Sequence, residues 1–213
     1  MERVFDPATS TRRFSVGAMY YANFTAVPHF VQMLRREAPG LDFRFSLHQD
    51  TSEAVRMLDD GSTELAIGAL RDLPSRIRAQ QIGFDHPVCI ARRGHPALID
   101  GLDLDTFLRL PHASASRGME EVDEALAHRQ RKRHIKFAVP AFYPLVCAVE
   151  YSDMLAVVPA AVASALALYV PITIHEIPFD VPRWPRLMAW TAAGELDPGI
   201  RWLRDFFSRL HGV

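Results

Sequence analysis

Two rhythms of apolar residues alternate along this chain. Leu41-Asp42-Phe43-Arg44-Phe45-Ser46-Leu47 switches between apolar and polar at every step. That is the period of a strand with one covered face, and it suits a position at or near a sheet edge. Ile172-Thr173-Ile174-His175-Glu176-Ile177 repeats the pattern. Shorter apolar runs at residues 14–19, 65–68, 77–84, 87–91, 111–116, 135–139, 154–158 and 186–191 read as further strands, most of them buried. Between them the spacing changes to helical. Phe30, Met33 and Leu34 belong to a helix that Asn23 or Thr25 can cap and that stops at Pro39-Gly40. Thr51 or Ser52 caps a short helix that ends at Gly61. Helices are expected over residues 103–108, 118–129, 142–151 and 160–168. Ile200, Leu203, Phe206, Phe207 and Leu210 line one face of a terminal helix over residues 197–210.

Strand and helix alternating in this way predict an α/β fold with mainly parallel strands. Two stretches punctuate the alternation, Arg92-Arg93-Gly94-His95-Pro96 and the Pro-rich residues 178–185. Taken as crossovers, they divide the chain into one lobe of residues 1–91 plus 186–213 and a second of residues 92–185. Two connections between two α/β lobes describe a hinged cleft. Ligands of open α/β sheets bind beyond the carboxyl ends of strands, where helix N-termini present free N–H groups.

Composition narrows the function classes. The 213 residues are 49% hydrophobic and 23% charged, which excludes disordered and fibrous chains. The formal net charge of −1 offers no global positive field toward nucleic acid or anionic membrane. Cys89 and Cys147 fit neither a CxxC pair nor a metal ligand set, and each sits in an apolar run as a buried thiol would. No apolar h-region follows Met1, and the stretch from Leu155 to Val170 is too short to span a bilayer, so a cytoplasmic protein without membrane contact is expected. The basic run Arg129-Gln130-Arg131-Lys132-Arg133-His134 with Lys136 reads as a solvated helix end, with no aromatic interleaving for nucleic acid.

The segments at strand ends carry the candidate chemistry. Met19-Tyr20-Tyr21-Ala22-Asn23-Phe24 combines apolar walls with two phenols and an amide, the mixture that an aromatic or amphipathic ligand needs. Packing beneath the loop is the alternative for some of these aromatics. Gly68 and Ala69 are expected to supply backbone N–H groups. In the second lobe, Ser114 and Ser116 either cap the next helix or donate to a ligand anion, and His112 either serves a ligand carboxylate or phenol or is satisfied within the fold. Phe142 and Tyr143 form an aromatic strand-to-helix corner. No nucleophile elbow, zincin helix, P-loop or dinucleotide fingerprint is present. No catalytic residue, metal ligand or cofactor is therefore assigned.

Several segments, in order along nearly the whole chain, resemble the effector-binding domain of LysR-type transcriptional regulators, in the branch of nodulation and aromatic-degradation regulators. They begin with the polar lead-in from Phe5 to Phe14 and continue through residues 34–40, Gly61 with 64–68, 88–96, 110–112, 139–142 and 152–159. The resemblance implies a type II periplasmic-binding-protein-like fold of two Rossmann-like lobes joined by two hinge crossovers. It implies a homodimer built through the first helix and edge strands, a tetramer in the full-length protein, and a small organic effector, acidic or aromatic. DNA contact is implied only through a winged helix-turn-helix that this chain does not carry. Met19-Tyr20 stands where related members often have Ser-Asp, and Ala141-Phe142 where aromatic-acid sensors often have His-Phe. The identity of the effector therefore does not transfer. A stand-alone solute-binding protein, and an enzyme using the same two-lobed cleft, stand as alternatives.

Overall fold

The computed structural model describes residues 5–115 and 119–210, with the side chains of residues 20–28 outside that description. The chain divides into two compact units, and it passes between them at Phe84/Asp85 and again at Arg183/Trp184. The first passage lies seven residues before the expected boundary at 91/92, and the second two residues before 185/186. The reason is strand pairing. The strand Pro87–Arg92 bonds to strands of the second unit on both sides, so Arg92 to Pro96 is a turn within that unit and not a crossover.

In the first unit, β1 (Arg13–Ala18) runs into α1 (Tyr20–Glu37), followed by β2 (Asp42–Leu47), α2 (Thr51–Asp59), β3 (Leu65–Gly68) and β4 (Ile77–Asp85). The chain returns as β10 (Trp184–Thr191) and ends in α7 (Pro198–Leu210). The strand order is β2-β1-β3-β10-β4. β1 lies parallel to β2 and β3, and β10 is antiparallel to β3. Alternation along β1 and β3 sorts the side chains. Phe14, Val16, Leu65 and Ile67 face one side, where they pack with Phe30 of α1 and with Leu203, Phe206 and Phe207 of α7. Ala66 faces the other side, with Ala54 and Leu58 of α2. Burial of each of the large α7 side chains stabilises by about 1.5–3 kcal/mol. β2 is an edge strand, as its alternation suggested, although Phe45 and Leu47 remain 37% and 52% exposed.

Helix starts differ from the sequence expectation in two places. α1 begins at Tyr20, with Met19 as an N-cap that makes no side-chain hydrogen bond, and not at Asn23 or Thr25. Met19 N–H still donates to the Ile67 carbonyl, so the chain leaves the sheet and enters the helix within one residue. At α2 the cap is Asp50, whose carboxylate accepts from Glu53 N–H at 2.9 Å, and not Thr51 or Ser52. A carboxylate is the stronger acceptor and also suits the positive end of the helix dipole. α2 terminates on Gly61, whose φ of +75° a side chain would strain.

The N-terminal lead-in is fastened to this unit. Arg12 donates to Asp197 at 2.7 Å and to Glu64 at 2.6 Å, while Glu64 accepts from Ser15 N–H. The same Asp197 oxygen caps α7 by accepting from Gly199 and Ile200 N–H. Phe5 packs against Phe14 and Trp202, with ring centroids at 5.8 and 5.6 Å.

The second unit holds β5 (Pro87–Arg92), α3 (Leu104–Arg109), β6 (Pro111–Ala115), α4 (Glu120–His128), β7 (His134–Val139), α5 (Phe142–Glu150), β8 (Leu155–Pro159), α6 (Ala160–Leu166) and β9 (Ile172–Glu176). Its strand order is β7-β6-β8-β5-β9, with β6 parallel to β7 and β8 and with β5 antiparallel to β8 and β9. Phe107, Leu126, Leu145, Val149, Leu155 and Val158 are fully buried. The basic run is not wholly solvated. The Arg133 side chain is only 2% exposed and forks onto both oxygens of Asp123 at 2.7 and 2.8 Å. Of the two thiols, Cys89 is buried and held protonated by that burial, whereas Cys147 is only half-buried.

Candidate ligand site at the strand ends

Three parallel strands of the first unit, β2, β1 and β3, end side by side. Their carboxyl ends deliver His48, Met19 and the pair Gly68 and Ala69 to one edge of the sheet. Met19 lies over Gly68. A Cβ at position 68 would sit 2.6 Å from Met19 Cγ and 2.8 Å from its sulfur, so only glycine admits the methionine there. The Met19 sulfur accepts from Ala69 N–H at 3.3 Å, a weak bond for a backbone donor. Thr51 Oγ1, at the first turn of α2, accepts from Arg71 N–H at 3.0 Å.

His48 is 2% exposed, and neither ring nitrogen reaches hydrogen-bond geometry with a described group. Its ring lies against two glycines. Cδ2 is 3.4 Å from where a Cβ at Gly17 would stand, and Cε1 is 3.3 Å from the corresponding point at Gly68. Thr63 Oγ1, beside Gly17, is likewise buried without a described partner. Burial pushes the imidazole pKa below its ordinary value. The backbones of Ile67 and Asp50, and the Glu53 and Asp50 charges, oppose that push without overcoming it.

In the second unit, the carboxyl ends of β6 and β7 bring Ser114 and the corner 139–143 together. Ser114 is half-buried, and its hydroxyl donates to the Ala115 carbonyl at 3.1 Å. It caps no helix: the α4 N-cap is Met119, with φ of +74° and no side-chain bond. α5 opens at Phe142 behind Ala141, with neither a side-chain cap nor an acidic residue in its first turn. Tyr143 on that turn is 68% exposed and Phe142 is half-buried.

The expected site residues thus fare differently. Met19, Gly68 and Ala69 meet at one sheet edge, and Ser114, Phe142 and Tyr143 lie at another. Tyr20, Tyr21, Asn23 and Phe24 fall on the first turns of α1, but their side chains lie outside the described residues, as does Ser116 altogether. His112 is placed away from the carboxyl ends of the strands. It is the second residue of β6, at the strand's opposite end, and is fully buried. Its Nε2 donates to the Phe107 carbonyl at 2.7 Å, and its ring stands edge-on to Phe107 at 4.6 Å. Burial lowers its pKa to about 4. It is a core histidine whose Nε2 is partnered by the helix that precedes it and whose Nδ1 has no described partner.

Sequence reasoning missed His48. The signal that identifies it is positional: it is the first residue after an alternating strand, at the same edge as Met19 and Gly68. Among the described residues, no group of three or more His, Cys, Asp or Glu side chains is disposed to hold a metal ion, and no helix is long and apolar enough to cross a membrane.

Comparison with known proteins agrees with this architecture. The HTH-type transcriptional regulator SyrM 1 of Sinorhizobium fredii is 29% identical over 183 residues, covering 84% of this chain and 53% of that protein. The HTH-type transcriptional activator NagR of a Ralstonia species is 27% identical over 214 residues, covering 97% of this chain and 69% of that protein. The chain therefore spans between about half and about seven-tenths of these relatives. Among solved structures, the regulatory domain of MexT, a transcriptional activator of Pseudomonas aeruginosa, superposes with a TM-score of 0.82 at 28% identity. That match covers 95% of this chain and all of the MexT domain. The two mixed α/β sheets correspond to the periplasmic-binding-protein-like fold of such regulatory domains. The family model described as LysR substrate binding domain matches residues 7–211, and the chain belongs to that family.

Proposed function

We propose that this chain is the effector-sensing and dimerising domain of a LysR-type transcriptional regulator, and that its effector is a small organic acid, aromatic in part. The observation that carries the choice of an acid is the contrast among helix starts. α1 and α5, which follow β1 and β7, open with no side-chain cap and no acidic residue in the first turn. α2 and α4 carry Glu53 and Glu120, Glu121 and Asp123 at theirs. An uncompensated helix N-terminus attracts an anion, whereas one supplied with its own carboxylates does not. In the first unit Met19, Tyr20, Tyr21, Asn23, Phe24, Gly68 and Ala69, and in the second unit Ser114, Ser116, Phe142 and Tyr143, are the proposed ligand-binding residues. His112 is not among them.

Oligomerisation rests on the sheet edges. β2 exposes Phe45 and Leu47, and Val31 of α1 is 54% exposed; β7, an edge of the second sheet, exposes Ile135 and Phe137. Edge strands bearing apolar side chains invite pairing with another chain, and a second copy of this domain is the proposed partner. Differential affinity of the effector for two arrangements of the pair then supplies the regulatory signal. DNA is contacted through a separate helix-turn-helix part, the function is carried out in the cytoplasm, and no turnover of the effector is involved. Isothermal titration against a panel of aromatic and aliphatic carboxylates tests the reading. Saturable binding by at least one aromatic acid is expected. Absence of binding across the whole panel overturns it.

A further inference from the structure

The edge of the first unit is rich in donors whose present partners are poor or missing. Ala69 N–H is held by a thioether, a far weaker acceptor than oxygen. α1 begins without a cap. Beside them His48, 98% buried by its 2% exposure, presents an imidazole with two unpartnered nitrogens. A buried polar group without a partner is costly, and cores replace such groups unless another role retains them. Cε1, the carbon between the two nitrogens, points at the patch of Gly68 that Met19 covers. The acidic groups that face the ring come from α2, and both are engaged: Asp50 accepts from Glu53 N–H and Glu53 accepts from Gln49 N–H. From β1, β3 and the turn before β3, Gly17, Gly68, Thr63 and the Ile67 backbone lie near it, and none carries a charge. The two carbonyls nearest the ring, those of Ile67 and Asp50, already accept from Met19 and Ala54 N–H.

We infer that His48 is the charge-reading residue of the effector site: an effector carboxylate displaces the Met19 thioether from Ala69 N–H and is met by His48, which takes up one proton from solvent as the acid binds. This deepens the reading of the domain as an acid sensor and rests on it. The sign follows from the two states. Without the acid the ring is neutral, because burial disfavours its charge. With a carboxylate beside it, the charged ring is favoured, so the complex binds one more proton than the free domain. Affinity then falls as pH rises, by up to tenfold per pH unit while the ring titrates in the complex.

The test is calorimetry of benzoate binding to the whole chain between pH 6 and 8, in buffers of differing ionisation enthalpy, with benzyl alcohol as the same ring without the charge. The expected result is uptake approaching one proton per benzoate, affinity declining with pH, and at least tenfold weaker binding of benzyl alcohol without uptake. In His48→Gln the uptake vanishes and the pH dependence flattens. The titration of the His48 Cε1–H resonance in the wild-type protein, with and without benzoate, reports the same proton independently of any variant. Benzoate binding with no proton uptake overturns the inference and leaves the sensing role intact, as does uptake that persists in His48→Gln. Failure of every carboxylate in the panel to bind overturns the sensing role and this inference together.

Discussion

His112 offers the sharpest test of the distinction between a core histidine and a ligand contact. Its Nε2 gives its proton to the Phe107 carbonyl at 2.7 Å, and its Nδ1 is buried with no described acceptor. A second proton placed on Nδ1 gains no hydrogen bond and faces the Arg133 charge. Burial, with that repulsion, lowers the folded pKa to about 4 from 6.5. The unfolded chain therefore binds the proton first as pH falls, and folding stability declines. The contribution is fully present above pH 6.5 and is lost progressively toward pH 4, at about 1.4 kcal/mol for each pH unit. Between pH 7 and pH 5 this one residue is expected to remove about 2 kcal/mol of stability. The assay is urea denaturation across that range, for wild type and for His112→Gln, which retains a donor but cannot titrate. The variant starts lower at pH 7, by about 1–2 kcal/mol, because its amide replaces a ring packed on Phe107. It then loses about 2 kcal/mol less than wild type on acidification. Parallel pH profiles for the two proteins would refute the reasoning, and a changed effector affinity at pH 7 would return His112 to the ligand site.

Three further outcomes follow from the packing. Phe206→Ala empties a site that is 0% exposed, with ring centroids 5.0–6.2 Å from Trp202, Phe30 and Phe207, and it should cost about 3–5 kcal/mol in urea denaturation; a loss below about 1 kcal/mol would contradict this core. Asp197→Ala removes the α7 cap and the Arg12 partner, and should cost about 1–2 kcal/mol at pH 7. Burial pushes the Asp197 carboxyl up, but Arg12 and the Ile200 and Gly199 N–H groups more than offset it and hold the pKa below its ordinary value. Its support is therefore complete above the ordinary carboxylate range and fades as pH falls through the lower folded value, so the wild-type advantage over Asp197→Ala should shrink in strong acid. Phe45→Glu at the edge of β2 should shift sedimentation toward the monomer and, by losing the edge-on contact with Phe30, cost about 1–2 kcal/mol in urea denaturation; unchanged sedimentation would contradict the proposed interface.

Much of the fold was legible because burial leaves a periodic trace. Strict alternation located β2 at an edge, and the Ile200, Leu203, Phe206 and Phe207 spacing placed α7 on the core. Caps and crossings were less legible, for a common reason. Asn23 and Thr25 are good capping residues, yet α1 begins at Tyr20 because β1 ends at Ala18 and the chain must turn at once. At the first crossing, β4 and β5 are separated only by His86, with Asp85-His86-Pro87 as the sole mark, while the louder Arg92 to Pro96 run is an internal turn. Composition shows where a strand is but not which sheet it joins. The partners that claim β5 are β8 and β9, and they lie more than sixty residues further along the chain.

The site was legible only as a set of strand ends, and the two histidines show why. Both follow apolar neighbours and both are buried, so sequence context alone ranks them equally. Strand direction separates them: His112 is the second residue of β6, at the amino edge, where a preceding helix turns a carbonyl toward it, whereas His48 follows the last residue of β2, at the carboxyl edge. An identical side chain is thus a satisfied structural donor at one edge of a sheet and an unpartnered one at the other. The difference lies in what the parallel fold supplies at each edge. Helix C-terminal carbonyls gather at the amino ends of strands and helix N–H groups at the carboxyl ends. A neutral imidazole whose Nε2 donates to a carbonyl gains nothing from a second proton, and His112 stays uncharged. His48 instead stands where the neighbouring carbonyls already accept backbone N–H groups, and the arrival of an anion makes its protonation favourable.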